Sequence, residues 1–142
     1  MPTVDSFIFI LYVADQQRST AFYKTVFGAE PVLNVPGMTE FRVTENVRLG
    51  LMPEIGIAKI VCPVMPHPGQ ATGVPRCEAY FRVKSPERFL DRSIEAGAVL
   101  VSELSLRDWG DIAGYVADPD GHVLAFASKQ NVDNISSSSV NN

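Results

Sequence analysis

Glu78, Tyr80 and Arg82 alternate along residues 78–82 and together offer a carboxylate, a phenol and a guanidinium. On a β-strand, alternate side chains point to the same face, so the three would stand in a row that could fix a polar ligand. Glu78 and Arg82 would lie about 13 Å apart at roughly 3.3 Å per residue, too far to pair with each other. Glu78 is also a candidate general base, provided that it lies in a half-apolar pocket.

Further aromatic and basic side chains could contribute to the same ligand-binding face. The candidates for stacking on a ligand or anchoring its polar groups are Tyr12, Arg48, Trp109 and Tyr115. The small residues Gly50, Ala125 and Ala127 leave room and favour a concavity. The alternatives stay open: the face is solvated, Trp109 packs at a strand entrance, and Arg48 and Arg82 are solvated edge residues.

The segment ADPDGHVLA at 117–125 contains two aspartates and a histidine, and such residues could serve a metal or acid/base site. Asp-Pro-Asp-Gly is also a strong turn sequence, because proline presets one dihedral angle and glycine accepts a positive φ. Aspartates in turns bond nearby backbone amides. Local turn chemistry therefore explains both acids, and the segment is predicted to be a hairpin turn.

Composition restricts the classes of partner. The chain has 142 residues and a net charge of −4, which predicts one domain and offers no basic face for nucleic acid. No run of basic residues suggests a membrane surface, so small molecules or other protein chains are the expected partners. The apolar run after Asp5 lacks a basic leader and is interpreted as a strand rather than a signal peptide. A cytoplasmic location with free thiols at Cys62 and Cys77 is expected.

The chain repeats one pattern at an offset of about 70 residues. In the first half, a strand at 7–13 precedes a helix that is capped by Asp15 and stopped by Gly28. In the second, a strand at 79–83 precedes a helix that Ser85-Pro86-Glu87 starts and Gly97 ends. A β-rich stretch follows each helix, and then a hairpin: 39–43 with 47–52, and 112–117 with 123–127.

One face of the predicted strands is uniformly apolar and should lie under the helices. Its members are Phe7, Phe9, Leu11, Val13, Leu49, Leu51, Ala79, Phe81, Val83, Leu124 and Phe126. The second helix should bury Phe89, Leu90 and Ile94. The proline-rich linker 53–76 cannot be a long helix or a central strand, and its apolar part, 55–64, should pack against the domain. The polar tail from Lys129 has a composition that predicts weak order.

Two segments resemble the glyoxalase/bleomycin-resistance/dioxygenase superfamily, also called vicinal oxygen chelate proteins. YVADQQRSTAFYKTVFGAE at 12–30 is similar to its first βα unit, and WGDIAGYVADPDGHVLAFA at 109–127 is similar to its closing hairpin. The resemblance implies an α+β fold in which two βαβββ modules form a curled mixed sheet around a cleft. It places a single domain at 1–128, with module one at about 5–52, a linker at 53–76, module two at about 77–128 and a tail at 129–142.

The resemblance also implies where metal-dependent members hold a divalent ion. The four matching positions are occupied here by Ile8, Gly50, Glu78 and Ala125. One carboxylate is not a metal site, and His67 and His122 lie at the wrong positions to replace the missing ligands. No metal and no other cofactor are therefore expected.

Three functions follow as hypotheses. The first is a metal-free protein, similar to the bleomycin-resistance branch, that binds a small organic and possibly aromatic molecule in a cleft. The second is an enzyme of the lactoylglutathione lyase or dioxygenase type, whose chemistry needs a metal, or a metal-free enzyme with Glu78 as its base. The third is a non-catalytic interaction protein. The resemblance implies a homodimer in each case.

Overall fold

The computed structural model describes residues 4–130, and these form two compact units. Unit 1 comprises the chain up to Val74 together with Pro119–His122, and unit 2 comprises Pro75–Asp118 together with the chain from Val123 onward. Among the described residues, no helix is long and apolar enough to cross a membrane. Of the predicted tail, Lys129 is the last residue of a strand, and residues 131–142 lie outside the described part.

Unit 1 contains a four-stranded mixed sheet, and its elements follow the order strand, helix, three strands. These are β1 (Phe7–Val13), α1 (Gln16–Phe27), β2 (Leu33–Val35), β3 (Met38–Thr44) and β4 (Val47–Pro53). The sheet order is β1-β4-β3-β2, with β1 parallel to β4 and the other pairs antiparallel. The side chain of Asp15 accepts a hydrogen bond from the Arg18 amide at 3.0 Å, and Gly28 has a φ of 62°. Both predicted ends of α1 are therefore confirmed.

Unit 2 repeats the arrangement with β5 (Glu78–Arg82), α3 (Pro86–Glu95), β6 (Val99–Leu106), β7 (Asp111–Ala117) and β8 (Val123–Lys129). The sheet order is β5-β8-β7-β6, and β5 runs parallel to β8. The predicted α+β class with two βαβββ arrangements is thus confirmed. Within residues 4–130, the strands form two four-stranded sheets rather than one closed sheet, and each of these sheets has two edge strands.

Helix α3 packs on its sheet through fewer residues than the sequence suggested. Leu90 is buried, and a Cβ atom built on Gly114 would lie 2.6 Å from its Cδ1 atom, so glycine on β7 leaves the space that the Leu90 side chain occupies. The Phe89 ring stacks on Phe126 with centroids 5.2 Å apart. Ile94 is 44% exposed, which corrects the prediction that it is buried. Ser85 precedes the helix but makes no side-chain capping bond.

The predicted apolar face of β1 is only half buried. Leu11 and Val13 are buried in the core, whereas Phe7 is 54% and Phe9 is 38% exposed. Because β1 is an edge strand, its first residues have a sheet neighbour on one side only. The alternation of side chains assigned Phe7 and Phe9 to the same face as Leu11 and Val13. It could not predict how much of that face other residues bury.

The linker contains a short helix, α2 (Glu54–Val61), and one turn of 3₁₀-helix at Pro68–Ala71. Helix α2 packs on β4 and β1 and buries Ile57 and Ala58. Ile55, Ile60 and Val64 are exposed. The prediction that the apolar part of the linker packs against the domain is therefore right for one side of α2 only.

The Asp-Pro-Asp-Gly segment is a turn, as predicted, but Asp120 does more than stabilise its own turn. Its buried carboxylate accepts hydrogen bonds from the Ala14 amide at 2.9 Å and from the Ser19 hydroxyl at 3.2 Å. Arg18 lies 3.5 Å from the same carboxylate. Asp120 thus holds the start of α1, a partner more than a hundred residues away in sequence.

Candidate functional site

A polar network in unit 2 joins the start of β7 to β5. Asp111 opens β7, and its carboxylate is 3% exposed. Its Oδ2 atom accepts hydrogen bonds from the Tyr80 hydroxyl at 2.5 Å and from Arg82 Nε at 3.1 Å. Trp109 Nε1 donates to the Tyr80 oxygen at 2.8 Å. We call these four residues the Asp111 network.

The strand register explains why these side chains meet. Tyr80 on β5 and Tyr115 on β7 both pair with Ala125 of the intervening strand β8, which places the two rings on one face with a small residue between them. Arg82 pairs with Ala127, which in turn pairs with Ala113. Asp111 lies two residues before Ala113 and therefore on the same face, one step further along the sheet.

The loop before β7 positions Trp109. The Arg107 amide donates to the Asp111 carbonyl at 2.8 Å, and the Gly110 amide donates to the Arg107 carbonyl at 3.0 Å. Gly110 has a φ of 96°, a conformation that favours glycine. The tight loop presents the indole of Trp109, which is 56% exposed, beside the Tyr80 ring at a centroid distance of 6.4 Å.

Protonation in the network follows from these contacts. The hydrogen bond from Tyr80 lowers the pKa of Asp111, and the charge of Arg82 lowers it further against the opposing effect of burial. Burial raises the pKa of Tyr80 above its usual value, and the bond to Asp111 raises it further. At neutral pH, Asp111 is therefore an anion and Tyr80 a neutral donor.

Tyr115 forms a second group on the same face. The Arg107 guanidinium lies 5.0 Å from the centre of the Tyr115 ring and bonds to the Ala113 carbonyl and the Ser102 hydroxyl. Burial raises the pKa of Tyr115, and the negative charge of Glu78 raises it further. Arg107 thus holds the Tyr115 ring against the sheet. The charge of Glu78 is close enough to raise the pKa of the Tyr115 hydroxyl.

Five of the seven predicted ligand-binding residues lie in unit 2. They are Glu78, Tyr80, Arg82, Trp109 and Tyr115. Tyr12 and Arg48 lie in unit 1, where Arg48 forms an ion pair with the buried Glu40 at 2.8 Å. Arg48 thus has a protein partner within its own sheet, on the strand next to it.

Sequence reasoning missed Asp111 and Arg107. Asp111 stands in the segment Trp-Gly-Asp, which is typical of a turn, and Arg107 lies in the loop that follows β6. The available signal was parity, because Asp111 has the same parity as Ala113 and Tyr115 on the predicted strand. Parity indicates only the face on which this carboxylate lies, whereas its contact with Arg82, two strands away in the sheet, depends on the strand register.

Two expectations about the face need correction. Glu78 is exposed, so the half-apolar pocket on which its role as a general base depends is not found around it. Ala125 and Ala127 are fully buried, so these small residues do not border open space as expected. They lie on β8 between the side chains of β5 and β7 with which they pair.

Unit 1 carries an open groove of about 770 Å³ between α1 and β2, lined by residues that include Gln16, Thr20, Lys24 and Asn34. None of the predicted site residues lines it. Its polar groups bond one another: Gln16 Nε2 donates to the Val35 carbonyl at 2.8 Å, and Thr20 shares a hydrogen bond with Thr39 at 2.9 Å. Several polar groups of the groove are therefore satisfied by partners within unit 1.

The positions that the resemblance assigns to metal ligands are divided between the two units. In unit 1, a Cβ atom on Gly50 would lie 3.1 Å from Ile10 and 3.3 Å from Ile8, so apolar side chains occupy that place. In unit 2, Ala125 is buried and has no donor atom in its side chain, which leaves Glu78. These four residues do not fit a divalent ion, which requires several lone-pair donors.

The profile of the Glyoxalase/Bleomycin resistance protein/Dioxygenase superfamily matches residues 4–126. The chain belongs to this superfamily. Its duplicated βαβββ order and parallel β1–β4 and β5–β8 pairs are thus the architecture of a superfamily member. A comparison with curated proteins gave no significant match.

Solved structures of superfamily members share the fold at low sequence identity. A glyoxalase-related enzyme from Fulvimarina pelagi is 23% identical with a TM-score of 0.74, over 90% of this chain and 89% of the other. A glyoxalase/bleomycin resistance protein/dioxygenase family enzyme from Burkholderia phytofirmans is 16% identical with a TM-score of 0.73, over 87% and 97%. A glyoxalase/bleomycin resistance protein/dioxygenase from Nocardioides is 18% identical with a TM-score of 0.71, over 93% and 87%. At these identities the likeness establishes the fold alone.

Proposed function

We propose that this superfamily member binds a small aromatic molecule on the β5–β8–β7 face of unit 2 without a metal. The observation that carries the proposal is the Asp111 network, in which a buried carboxylate fixes Tyr80 and Arg82 while Tyr80 fixes Trp109. Ligand sites combine aromatic surface with a few polar groups held in place in advance. The face has both, and the exposed indole of Trp109 gives a ring on which an aromatic ligand can stack.

Preorganisation supports binding over a purely structural role. A large aromatic residue that serves only packing is normally covered, whereas Trp109 is held by a hydrogen bond and still left more than half exposed. The Arg82 side chain is oriented by Asp111 and is also exposed. Ordering these groups before binding lowers the entropy cost of binding a ligand.

The metal-dependent reactions of the superfamily are the alternative. Lactoylglutathione lyase or dioxygenase chemistry would require a divalent ion, and the residues at the four matching positions do not supply its ligands. The proposal predicts that the purified protein retains no stoichiometric zinc, nickel, iron or manganese after incubation and desalting. One bound ion per chain would overturn the metal-free part of the proposal and favour the enzyme.

Ligand binding can be measured directly because Trp109 is the only tryptophan of the chain. We expect aromatic ligands to change its fluorescence and to raise the melting temperature, since a ligand at one hundred times its Kd stabilises the native state by about 2.7 kcal/mol. Tyr80→Phe removes the partner of the indole and should weaken binding, whereas Phe7→Leu, in unit 1, should not. A panel of mono- and bicyclic aromatic compounds that changes neither signal would contradict the proposal and favour the interaction-protein hypothesis.

A further inference from the structure

We infer that the ligand is an aromatic acid whose anionic group binds the outer edge of the Arg82 guanidinium. The inference rests on the proposed function and adds the chemical class of the ligand. It concerns the end of the face where Arg82, Asp111 and Lys129 come together. Three observations carry it: the orientation of Arg82, its unused donors and the distribution of charge along the sheet.

Arg82 is held on two sides by its own unit. Its Nε atom donates to Asp111 at 3.1 Å, and its guanidinium carbon lies 5.5 Å from the centre of the Tyr80 ring. Because a guanidinium is planar, fixing Nε and one face fixes the direction of the two terminal nitrogens as well. The side chain is therefore set in one orientation although it is 57% exposed.

The terminal nitrogens of Arg82 are available to a ligand. Within residues 4–130, the only hydrogen bond and the only ion pair found for Arg82 involve Nε. Two N–H groups on adjacent nitrogens match the two oxygens of a carboxylate, which accepts both in parallel. Arg107 offers no such edge, because its Nη2 atom bonds to Ser102, Glu103 and Ala113.

Charge along the face is unequal and favours an anion at this end. Lys129 pairs with Asp111 in the β7–β8 register, so Arg82 and Lys129 contribute two positive charges against one negative charge. Glu78 lies at the opposite end of β5, about 13 Å away at roughly 3.3 Å per residue. An aromatic ring that stacks beside Trp109 with its acid at Arg82 therefore places its charge where the protein is positive and away from Glu78.

The inference can be tested with two probes of equal shape, naphthoate and naphthamide, measured by calorimetric titration at neutral pH. The two share the ring and differ in charge, so the ratio of their Kd values isolates the anionic group. We expect naphthoate to bind about five- to ten-fold more tightly, a modest ratio for a charge-assisted hydrogen bond because Arg82 is half exposed. Raising the salt concentration should reduce this ratio.

Variants assign the preference to Arg82. Arg82→Gln should abolish the preference, so that naphthoate and naphthamide bind with equal Kd values, while Glu78→Gln, a matched removal of charge at the other end of β5, should keep the preference. Arg82→Lys, which retains the charge without the planar edge, should restore only part of it. Circular dichroism and the melting temperature of each variant verify that it is folded.

The outcomes separate this inference from the proposed function. Equal Kd values for the two probes, or a preference that survives Arg82→Gln, would overturn the inference and leave aromatic binding intact. Failure of both probes to bind or to quench Trp109 would count against the proposed function itself, and the inference would fall with it.

Discussion

Asp111 is the shared hydrogen-bond partner of two side chains on the β5–β8–β7 face of unit 2. One carboxylate oxygen receives hydrogen bonds from Tyr80 and from Arg82, so removing this acid would leave two side chains of the face without their fixed partner. The same contacts control its titration, because the bond from Tyr80 is the largest cause that lowers the pKa of Asp111. Geometry and protonation in the network are therefore linked through one hydrogen bond.

Tyr80→Phe should raise the pKa of Asp111, because the phenyl ring keeps the packing and loses the donor. A carboxyl group with a depressed pKa in the folded state stabilises the protein above its unfolded value, about 3.9, and this contribution is lost as the pH falls through the folded value. The variant should therefore have less of this stabilisation at neutral pH, and the part of the fall in melting temperature below about pH 3.9 that is due to Asp111 should be smaller than in the wild type. Carbon-13 NMR titration of the Asp111 carboxyl group measures the shift directly. Tyr115→Phe is the control, and an Asp111 titration unchanged by Tyr80→Phe would contradict the prediction.

At the scale of elements, local sequence signals located most strands and helices. Asp15 and Gly28 marked the ends of α1, because each acts through its own backbone and nearest neighbours. The wrong predictions concern residues whose burial depends on contacts with residues far away in the sequence. Phe9 has the correct parity but belongs to an edge strand, and Ile94 lies on a helix whose contact with the sheet is narrower than its pattern suggested.

The candidate site was predictable in part for the same reason. Glu78, Tyr80 and Arg82 share a face because of strand parity, which the sequence specifies. Their partner Asp111 follows only from the register between β7 and β8, which a single sequence does not specify. The sequence alone likewise suggested that the alanines of β8 leave open room, whereas their burial depends on how neighbouring side chains cover them.

Asp120 is the residue through which one turn stabilises another element. Asp120→Ala would leave the Ala14 amide and the Ser19 hydroxyl without their acceptor, and each unsatisfied buried donor costs about 1–3 kcal/mol. We expect the free energy of unfolding to fall by about 2–4 kcal/mol, measured by urea denaturation. Asp108→Ala, at an exposed aspartate, should change it by less than about 0.5 kcal/mol. Equal effects of the two substitutions would show that Asp120 is not needed to hold α1.

At the scale of the whole molecule, exposed apolar side chains on the edge strands require an explanation. Phe7 and Phe9 lie exposed on β1 with ring centroids 6.4 Å apart, and Val99 and Val101 lie exposed on β6. Unpaired edges with apolar side chains promote association with another chain unless they are covered. We propose that the protein is a homodimer and that the aromatic pair on β1 contributes to the interface, since aromatic residues are enriched in interfaces.

Light scattering coupled to gel filtration should give twice the mass of the chain for the wild-type protein. The double substitution Phe7→Ser with Phe9→Ser should shift it to the monomer mass, because it removes the apolar surface that association would bury. Val99→Ser with Val101→Ser is the matched control on β6 and should leave the dimer intact. A wild-type monomer at every concentration would exclude the homodimer. If only the valine substitutions dissociated the dimer, the interface would lie on β6 instead. This strand belongs to the sheet that carries the Asp111 network, so ligand affinity would then depend on protein concentration.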